Sequence, residues 1–544
     1  MNTRHGSETF FIEGEGVVNT QLGGRRGDEP DPITEPEARP AGASASGVST
    51  GSTNRVAPFR FSRIGPRGRA LPEPLSLALA NAMTKGGGGR SDIPAGYTYL
   101  GQFIDHDLTM DATDVSLGDE VTPAELLQGR SPTLDLDSLY GAGPANPGSA
   151  KFYAADGVRL KTGDTIRIGP DREKTGHDLP RVGTGSRKER RRALIPDPRN
   201  DENLIVAQTH LAMIRFHNRV VDKLPASVPA AQRFRQARKA VTLHYQWLIR
   251  HDYLPRIVEP GIVEDVFTNG RKLVDPDAAP TDMPRMPVEF SVAAFRLGHS
   301  MVRPVYDWNR RFPEGIGFLD YMFQFSALGG DLGGEDRLLS NWLADWRRMY
   351  DFPAGGRPAL GPPDEVNMAQ RIDTLLTDPL KNLPPSTFGG GAAIPFDDRR
   401  RNLAFRNLVR ASMLKLASGQ QMVDALRAAG VAVQPLSRRQ IVRGNGGARL
   451  DGLTEAQQDA LVERTPLWFY VLREAETGDG RMRRVGGRIV AETFHRAMEG
   501  SRFSLVRNPG FTPAHGRGDT FEMTDLLFFA FAGKKTGINP LGGA

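Results

Sequence analysis

Gly101-Gln102-Phe103-Ile104-Asp105-His106-Asp107 is the stretch on which the reading of the fold turns. Wound as a helix, it sets Gln102 and His106 one turn apart on one face with Asp105 beside them, while Phe103 and Ile104 anchor it in a core. A Gln/Asp/His cluster backed by aromatic and apolar side chains suits a helix that walls a polar pocket. The same residues also make a polar helix end whose histidine is satisfied by its neighbours. On this segment alone the two readings stand level.

Four further segments carry candidate chemistry. Ser131-Pro132-Thr133-Leu134-Asp135-Leu136-Asp137 offers alternate oxygens from one short extended run, which suits a hard cation such as Ca2+, although ordinary solvated strands are the commoner source of such spacing. Arg199-Asn200-Asp201-Glu202-Asn203 stands at the entrance of a helix starting at Leu204. Asp201 and Glu202 suit its first turn, and Arg199 can project a fixed positive charge into a pocket. In Phe295-Arg296-Leu297-Gly298-His299-Ser300-Met301-Val302-Arg303-Pro304, helical spacing puts Arg296, His299 and Arg303 on one stripe, and Gly298 leaves room for a planar group. Arginines one turn from a histidine suit a haem with two anionic propionates; a lone histidine in such a helix is more often packed core. In Arg406-Asn407-Leu408-Val409-Arg410, Asn407 and Arg410 share a face, and Asn407 can accept a hydrogen bond from the unligated nitrogen of an axial histidine.

The chain has 544 residues, 39% hydrophobic and 25% charged, ordinary for a globular protein. Its formal charge of +6 is too diffuse to argue for nucleic acid, and the basic run Arg187 to Arg192 is interrupted by Glu189. The absence of cysteine removes disulfides, thiolate nucleophiles, iron–sulfur clusters, thiolate-ligated haem and c-type haem attachment. Met1 to Val18 lacks a Sec-type signal and no window is apolar enough for a membrane span, so a cytoplasmic or non-classically secreted enzyme is expected.

Gly23 to Asn54 is too poor in large apolar residues to fold, and packing is expected from about Phe59. Gly86 to Gly89 lacks the Lys-Ser/Thr ending of a phosphate loop. Helical periodicity predicts helices over Leu204 to Leu224, Gln232 to Leu254, Pro287 to Val302, Asn402 to Leu416, Gln420 to Ala429 and Thr454 to Glu474. The expected fold class is mainly α, one large helical domain over 58–535 with few short strands, a flexible segment 1–57 and a tail 536–544.

Taken together and in this order, the segments resemble the animal-type haem peroxidases of the peroxidase–cyclooxygenase superfamily, in a bacterial-looking version without disulfides. The likeness runs from about Gly96 to Leu426. It implies haem b held by His299 as axial ligand, oriented by Asn407, with Arg296 and Arg410 toward the propionates. On the opposite face it implies His106 as catalytic histidine, Arg199 as catalytic arginine and Gln102 ordering water or halide. It further implies Ca2+ held by Asp107, Ser131, Thr133, Asp135 and Asp137, ahead of Tyr140-Gly141. Asp105 and Glu202 match acids that form ester bonds to haem in the family. Asn203 stands where one branch has a methionine that makes a sulfonium link, so bromide, iodide, thiocyanate or aromatic donors are expected rather than chloride. Arg215 to Arg219 and Arg250 to Pro255 match scaffold signatures, so His217 and His251 are read as structural.

The implied chemistry is reduction of hydrogen peroxide, a task that fits a response to oxidative stress. His106 moves a proton from the near peroxide oxygen to the far one, and Arg199 stabilises the charge that develops as the bond breaks. His106 must be neutral for this, so activity should fall at acid pH. A fatty-acid dioxygenase of the same superfamily is the nearest alternative, but it needs a radical tyrosine where Arg296 stands. From another class, His106-Asp107 can mark a metal-dependent phosphohydrolase, which leaves the Arg296/His299 spacing and Asn407 unexplained. A binding or structural protein that keeps the fold without activity has no need of His106, Arg199 and His299 together.

Overall fold

The computed structural model describes residues 59–110, 127–128, 130–313, 315–362, 364–384 and 398–542. The expected flexible segment 1–57 lies outside the described residues. Among the helices of the described residues are α1 (Glu73–Met83), α2 (Gly96–Leu108), α3 (Leu204–Lys223), α4 (Ala230–Leu248), α5 (Leu403–Met413), α6 (Gly419–Ala428), α7 (Glu455–Glu463), α8 (Leu467–Glu476), α9 (Arg484–Glu499) and α10 (Met523–Ala530). Strands are short. Phe59–Ser62 pairs antiparallel with Leu127–Gln128 and parallel with Met286–Pro287; Arg90–Pro94 pairs with Met368–Gln370, and Val305–Tyr306 with Gly317–Phe318. The chain is mainly α, with one continuous hydrophobic cluster reaching from Phe61 to Ile538.

Helix α2 is sunk in that cluster through Leu100, Phe103, Ile104 and Leu108, all fully covered. It packs against α3 and against the turn that carries His299. That turn packs in turn on α8 and α9, and α5 packs on α8. The elements bearing His106, His299 and Asn407 are thus locked together by apolar burial before any polar contact is counted.

Three expected helices are broken. Pro287 to Val302 divides into a short α-helix, Val288–Val292, and a 3₁₀ segment, Ala294–His299, because Ala293 departs from helical geometry at φ −131° and ψ −74°. Arg303 therefore leaves the stripe of Arg296 and His299, and its guanidinium is spent on the carbonyls of Val305 and Met368. Thr454 to Glu474 divides at Pro466, which cannot donate to a continuing helix and stands as the N-cap of α8. Past Leu248 the chain does not stop at Pro255. It passes through one π-helical turn, Ile249–Tyr253, and resumes as Leu254–Ile257 with Pro255 in the first turn, where its missing N–H has no helical partner to lose.

The π turn brings Tyr253 against α2. A Cβ on Gly101 would lie 2.3 Å from Tyr253 Oη. Gly101→Ala should therefore destabilise the fold by about 1–3 kcal/mol through overpacking, and adding Tyr253→Phe should restore most of that loss. Thermal unfolding of the single and double variants checks this; equal melting temperatures for the two would refute it.

Candidate active site

His106 lies on the last turn of α2 and is buried. Its Nδ1 lies 2.9 Å from Asn200 Oδ1, and the Asn200 amide nitrogen lies 2.9 Å from His210 Nδ1. A carbonyl oxygen only accepts, so His106 Nδ1 carries the hydrogen and Nε2 keeps its lone pair. Burial first, then Arg199, pushes the His106 pKa down to about 3, so the imidazole is neutral over the whole working range.

Arg199 sits in the 3₁₀ turn Pro198–Asp201 and not inside a helix. Asn203 caps α3 instead, accepting from Val206 N, so Asp201 and Glu202 precede the helix rather than forming its first turn. Arg199 does not project freely. Its Nε and Nη2 donate to the two oxygens of Asp197, and Nη2 also donates to the His106 carbonyl at 2.9 Å. Asp197 is shared with Arg130 at 2.8 Å. Burial raises the Asp197 pKa, but Arg199 and Arg130 together carry it well below the carboxylate range. The guanidinium is thereby held rigid, with Nη1 left over.

Gln102 accepts from Asn203 Nδ2 at 2.9 Å and donates to Glu202 Oε2 at 3.5 Å. Burial pushes Glu202 up to about 7 and raises Asp105, whose carboxylate accepts from Thr109 Oγ1 at 3.0 Å. On the other wall, His299 Nδ1 lies 2.9 Å from Asn407 Nδ2, and Asn407 Oδ1 accepts from Arg296. Burial, then Arg296 and Arg406, lowers the His299 pKa to about 3. Arg410, one turn beyond Asn407 on α5, is buried.

Gln102, Asp105, Glu202, Arg296, His299 and Arg406 are only partly covered, yet burial is the first influence on Asp105, Glu202, Arg296 and His299. Both facts hold when side chains line a recess inside the molecule rather than its outer face. Asp105 is felt by Arg296, and Glu202 by Arg406, so the walls face each other at electrostatic range. Beside His299, a Cβ on Gly298 would meet nothing within 4 Å, which leaves a clear face there. Neither His106 Nε2 nor His299 Nε2 has a hydrogen-bond partner among the described residues. The donor set fits haem: one imidazole nitrogen without a hydrogen-bond partner, guanidiniums nearby for carboxylates, and a second imidazole on an element packed against the first. A separate cavity of about 610 Å³, lined by Lys161, Gly163, Arg181, Asp336 and Arg337 among others, contains none of the expected site residues.

The expected calcium residues are neighbours but do not converge. Asp107 accepts from Leu136 N, Ser138 N and Ser138 Oγ; Asp135 accepts from Thr133 Oγ1 and Arg502 N; Asp137 meets Arg238 at 3.5 Å. Ser131 Oγ bonds Thr133 Oγ1. Among the described residues no three His, Asp or Glu side chains gather as a metal site. The segment is irregular rather than extended, with Leu136 at φ 60°. Its oxygens nevertheless suit a hard cation. Burial first, and then Asp137, pushes Asp107 up to about 7, and Asp137 Oδ2 is buried without a partner. Because Asp107 turns to the Leu136 and Ser138 backbone, it does not pair with His106 as a phosphohydrolase would require. His217 bonds Tyr140 and the Val158 carbonyl, and His251 stacks on Trp247, both in the scaffold.

Four residues of this architecture carried no role in the sequence reading. Asn200 and Asp197 orient His106 and Arg199; only their places beside Arg199, in Asp197-Pro198-Arg199-Asn200, hint at it. Trp468 on α8 donates to the Arg296 carbonyl at 3.3 Å and meets the His299 ring edge-on. Arg406 acts on both walls through charge. Nothing local in the sequence marks these last two.

The family model described as animal haem peroxidase matches residues 111–339. A peroxidase-like protein of Margaritifera margaritifera is 27% identical over 210 residues, 37% of this chain and 24% of that protein. Thyroid peroxidase of Mus musculus is 28% identical over 192 residues, 34% of this chain and 20% of that protein. The matched region thus spans about a quarter or less of these relatives. Among solved structures, peroxidase A from Dictyostelium discoideum superposes with a TM-score of 0.50 at 16% identity, covering 83% of this chain and 89% of that one. The fatty acid alpha-dioxygenase of Oryza sativa does so with a TM-score of 0.53 at 10% identity, covering 89% and 81%. At those identities the structural likeness speaks for the fold. Residues 111–339 of this chain match the animal haem peroxidase family, and the fold of the described residues agrees with that of a peroxidase and of a fatty acid alpha-dioxygenase.

Proposed function

We propose that the chain is a haem-dependent peroxidase that reduces hydrogen peroxide and oxidises halide, pseudohalide or small aromatic donors. One observation carries this reading: two histidines on elements packed against each other each have Nδ1 tied to an asparagine and Nε2 without a hydrogen-bond partner among the described residues. When bound, haem b supplies an iron that takes up peroxide and stores its two oxidising equivalents. His299 would hold it, with Asn407 behind. The His106 Nε2 lone pair receives the proton of the near peroxide oxygen and hands it to the far one. Arg199, immobilised by Asp197, presents a fixed positive charge as the oxygen–oxygen bond breaks. Asp105 and Glu202 stand in the recess as the acids for ester links. Reconstitution with haem b should give a strong band near ~400 nm that shifts with peroxide. A colourless protein would sink the reading.

The acid limb should differ from that of an ordinary histidine. With His106 held neutral down to about pH 3, the rate of reaction with peroxide should stay level from about pH 7 to 5. A decline centred near 6.5, the unperturbed value, would contradict the tautomer and burial described above.

We propose further that Asp107, Asp135 and Asp137, with Ser131 and Thr133, take up Ca2+ by re-aiming their carboxylates. Chelation should then lower the melting temperature and added Ca2+ should restore it. No response to either removes calcium from the reading. A dioxygenase reading draws support from the fold of the Oryza sativa enzyme, but the position three before His299 holds Arg296. Absence of oxygen uptake with a long-chain fatty acid separates the two.

A further inference from the structure

Asn407 stands between two groups that compete for its amide. Its Oδ1 accepts from Arg296 Nη1, and its Nδ2 lies 2.9 Å from His299 Nδ1. A guanidinium has donors only, so the atom it meets must be oxygen, and the amide orientation follows from chemistry. The amide nitrogen then faces His299 Nδ1, which has to accept. The single ring hydrogen of a neutral imidazole is therefore on Nε2. That nitrogen has no hydrogen-bond partner among the described residues, and with a hydrogen on it there is no lone pair for a metal. On the facing wall the arrangement is reversed, since Asn200 offers oxygen to His106 Nδ1 and leaves that Nε2 bare.

Arg296 is held by neutral acceptors, the Ser291 carbonyl and Asn407 Oδ1. Asp105 is felt across the recess but does not bond it. A partly covered guanidinium without a bonded carboxylate is a site for one.

Resting on the haem reading above, we infer that Arg296 is a positioning residue that couples an incoming carboxylate to the ligating form of His299. A carboxylate on the rim of the macrocycle draws Arg296 off Asn407. The released amide turns over, and Oδ1 accepts from His299 Nδ1. The ring hydrogen moves from Nε2 to Nδ1 by exchange with water: one N–H bond breaks, another forms, and no net proton or electron is gained. The Nε2 lone pair is then bare. A porphyrin without free carboxylates lacks the trigger.

The test uses ¹⁵N-histidine-labelled apoprotein, with His299 assigned by comparison with His299→Gln. Haem b, and haem b with both carboxylates methylated, are then bound to wild type and to Arg296→Met. Ligation is read from the iron–histidine stretch of the ferrous protein by resonance Raman. In wild-type apoprotein the His299 hydrogen should be on Nε2, and Arg296→Met should move it to Nδ1. The methylated haem should bind wild type roughly tenfold to a hundredfold more weakly than haem b and show no His299 stretch, yet show it in Arg296→Met. An Nδ1 hydrogen in wild-type apoprotein, or equal stretches for both haems in wild type, overturns the coupling and leaves the haem reading standing. Absence of any His299-dependent stretch with haem b itself overturns both. Should Arg296→Met fail to fold, the wild-type comparisons decide alone.

Discussion

Replacing His106 by leucine should slow the reaction with hydrogen peroxide by about 10²–10⁴-fold while leaving haem bound. The leucine is close in bulk to imidazole, and His299, proposed to hold haem, lies on a different element, the 3₁₀ turn Ala294–His299. The loss is chemical: among the described residues of that wall, neither Gln102 nor Arg199 offers a bare nitrogen. Gln102 is occupied by Asn203 and Glu202, and Arg199 has only donors. Stopped-flow mixing of the reconstituted variant with peroxide measures it. A rate within about threefold of wild type would show that proton transfer by His106 does not limit the reaction.

Removing Asp197 should have the largest effect on stability. Its side chain is 0% exposed, as is that of Arg130, and that of Arg199 is 3% exposed. Asp197→Ala leaves two guanidiniums buried without their shared carboxylate, and breaking such a set costs about 3–5 kcal/mol. It also frees the side chain that is to face the breaking bond, so any folded variant should be slower with peroxide. Calorimetry checks the first effect, and Asp197→Ala with Arg130→Met should recover part of it. A melting temperature unchanged in Asp197→Ala would mean that the ion cluster does not hold the fold. Because the folded pKa of Asp197 is depressed, its contribution is present above the unfolded value of about 3.9 and is lost as pH falls through the lower folded value. Wild type should therefore lose stability below about pH 4 more steeply than Asp197→Asn.

Local pattern made several parts of the fold legible. The periodicity of Leu204 to Val221 and the stop at Leu224-Pro225 agree with α3, and Asn402 stands as the N-cap of α5. Helix breaks inside apolar runs were less legible. At Ala293 and through Ile249–Tyr253, side chains of helical spacing continue across a change in backbone winding that tertiary packing imposes. Only Pro466 announced its break, and its apolar surroundings masked it.

The candidate site divides in the same way. The order and spacing of Gln102, His106, Arg199, His299 and Asn407 were readable because each belongs to a short segment whose residue types imply a chemistry. The partners that aim them were not, because Asn200, Trp468 and Arg406 reach the site through contacts made only on folding.

From its linear order alone, this chain determined a helical fold, the absence of thiol chemistry and which side chains are candidates for a metal or peroxide site. Tertiary structure alone decided which nitrogen of each imidazole is free. That follows because a hydrogen-bond partner selects a tautomer, and those partners lie 94 residues from His106 and 108 from His299 along the chain.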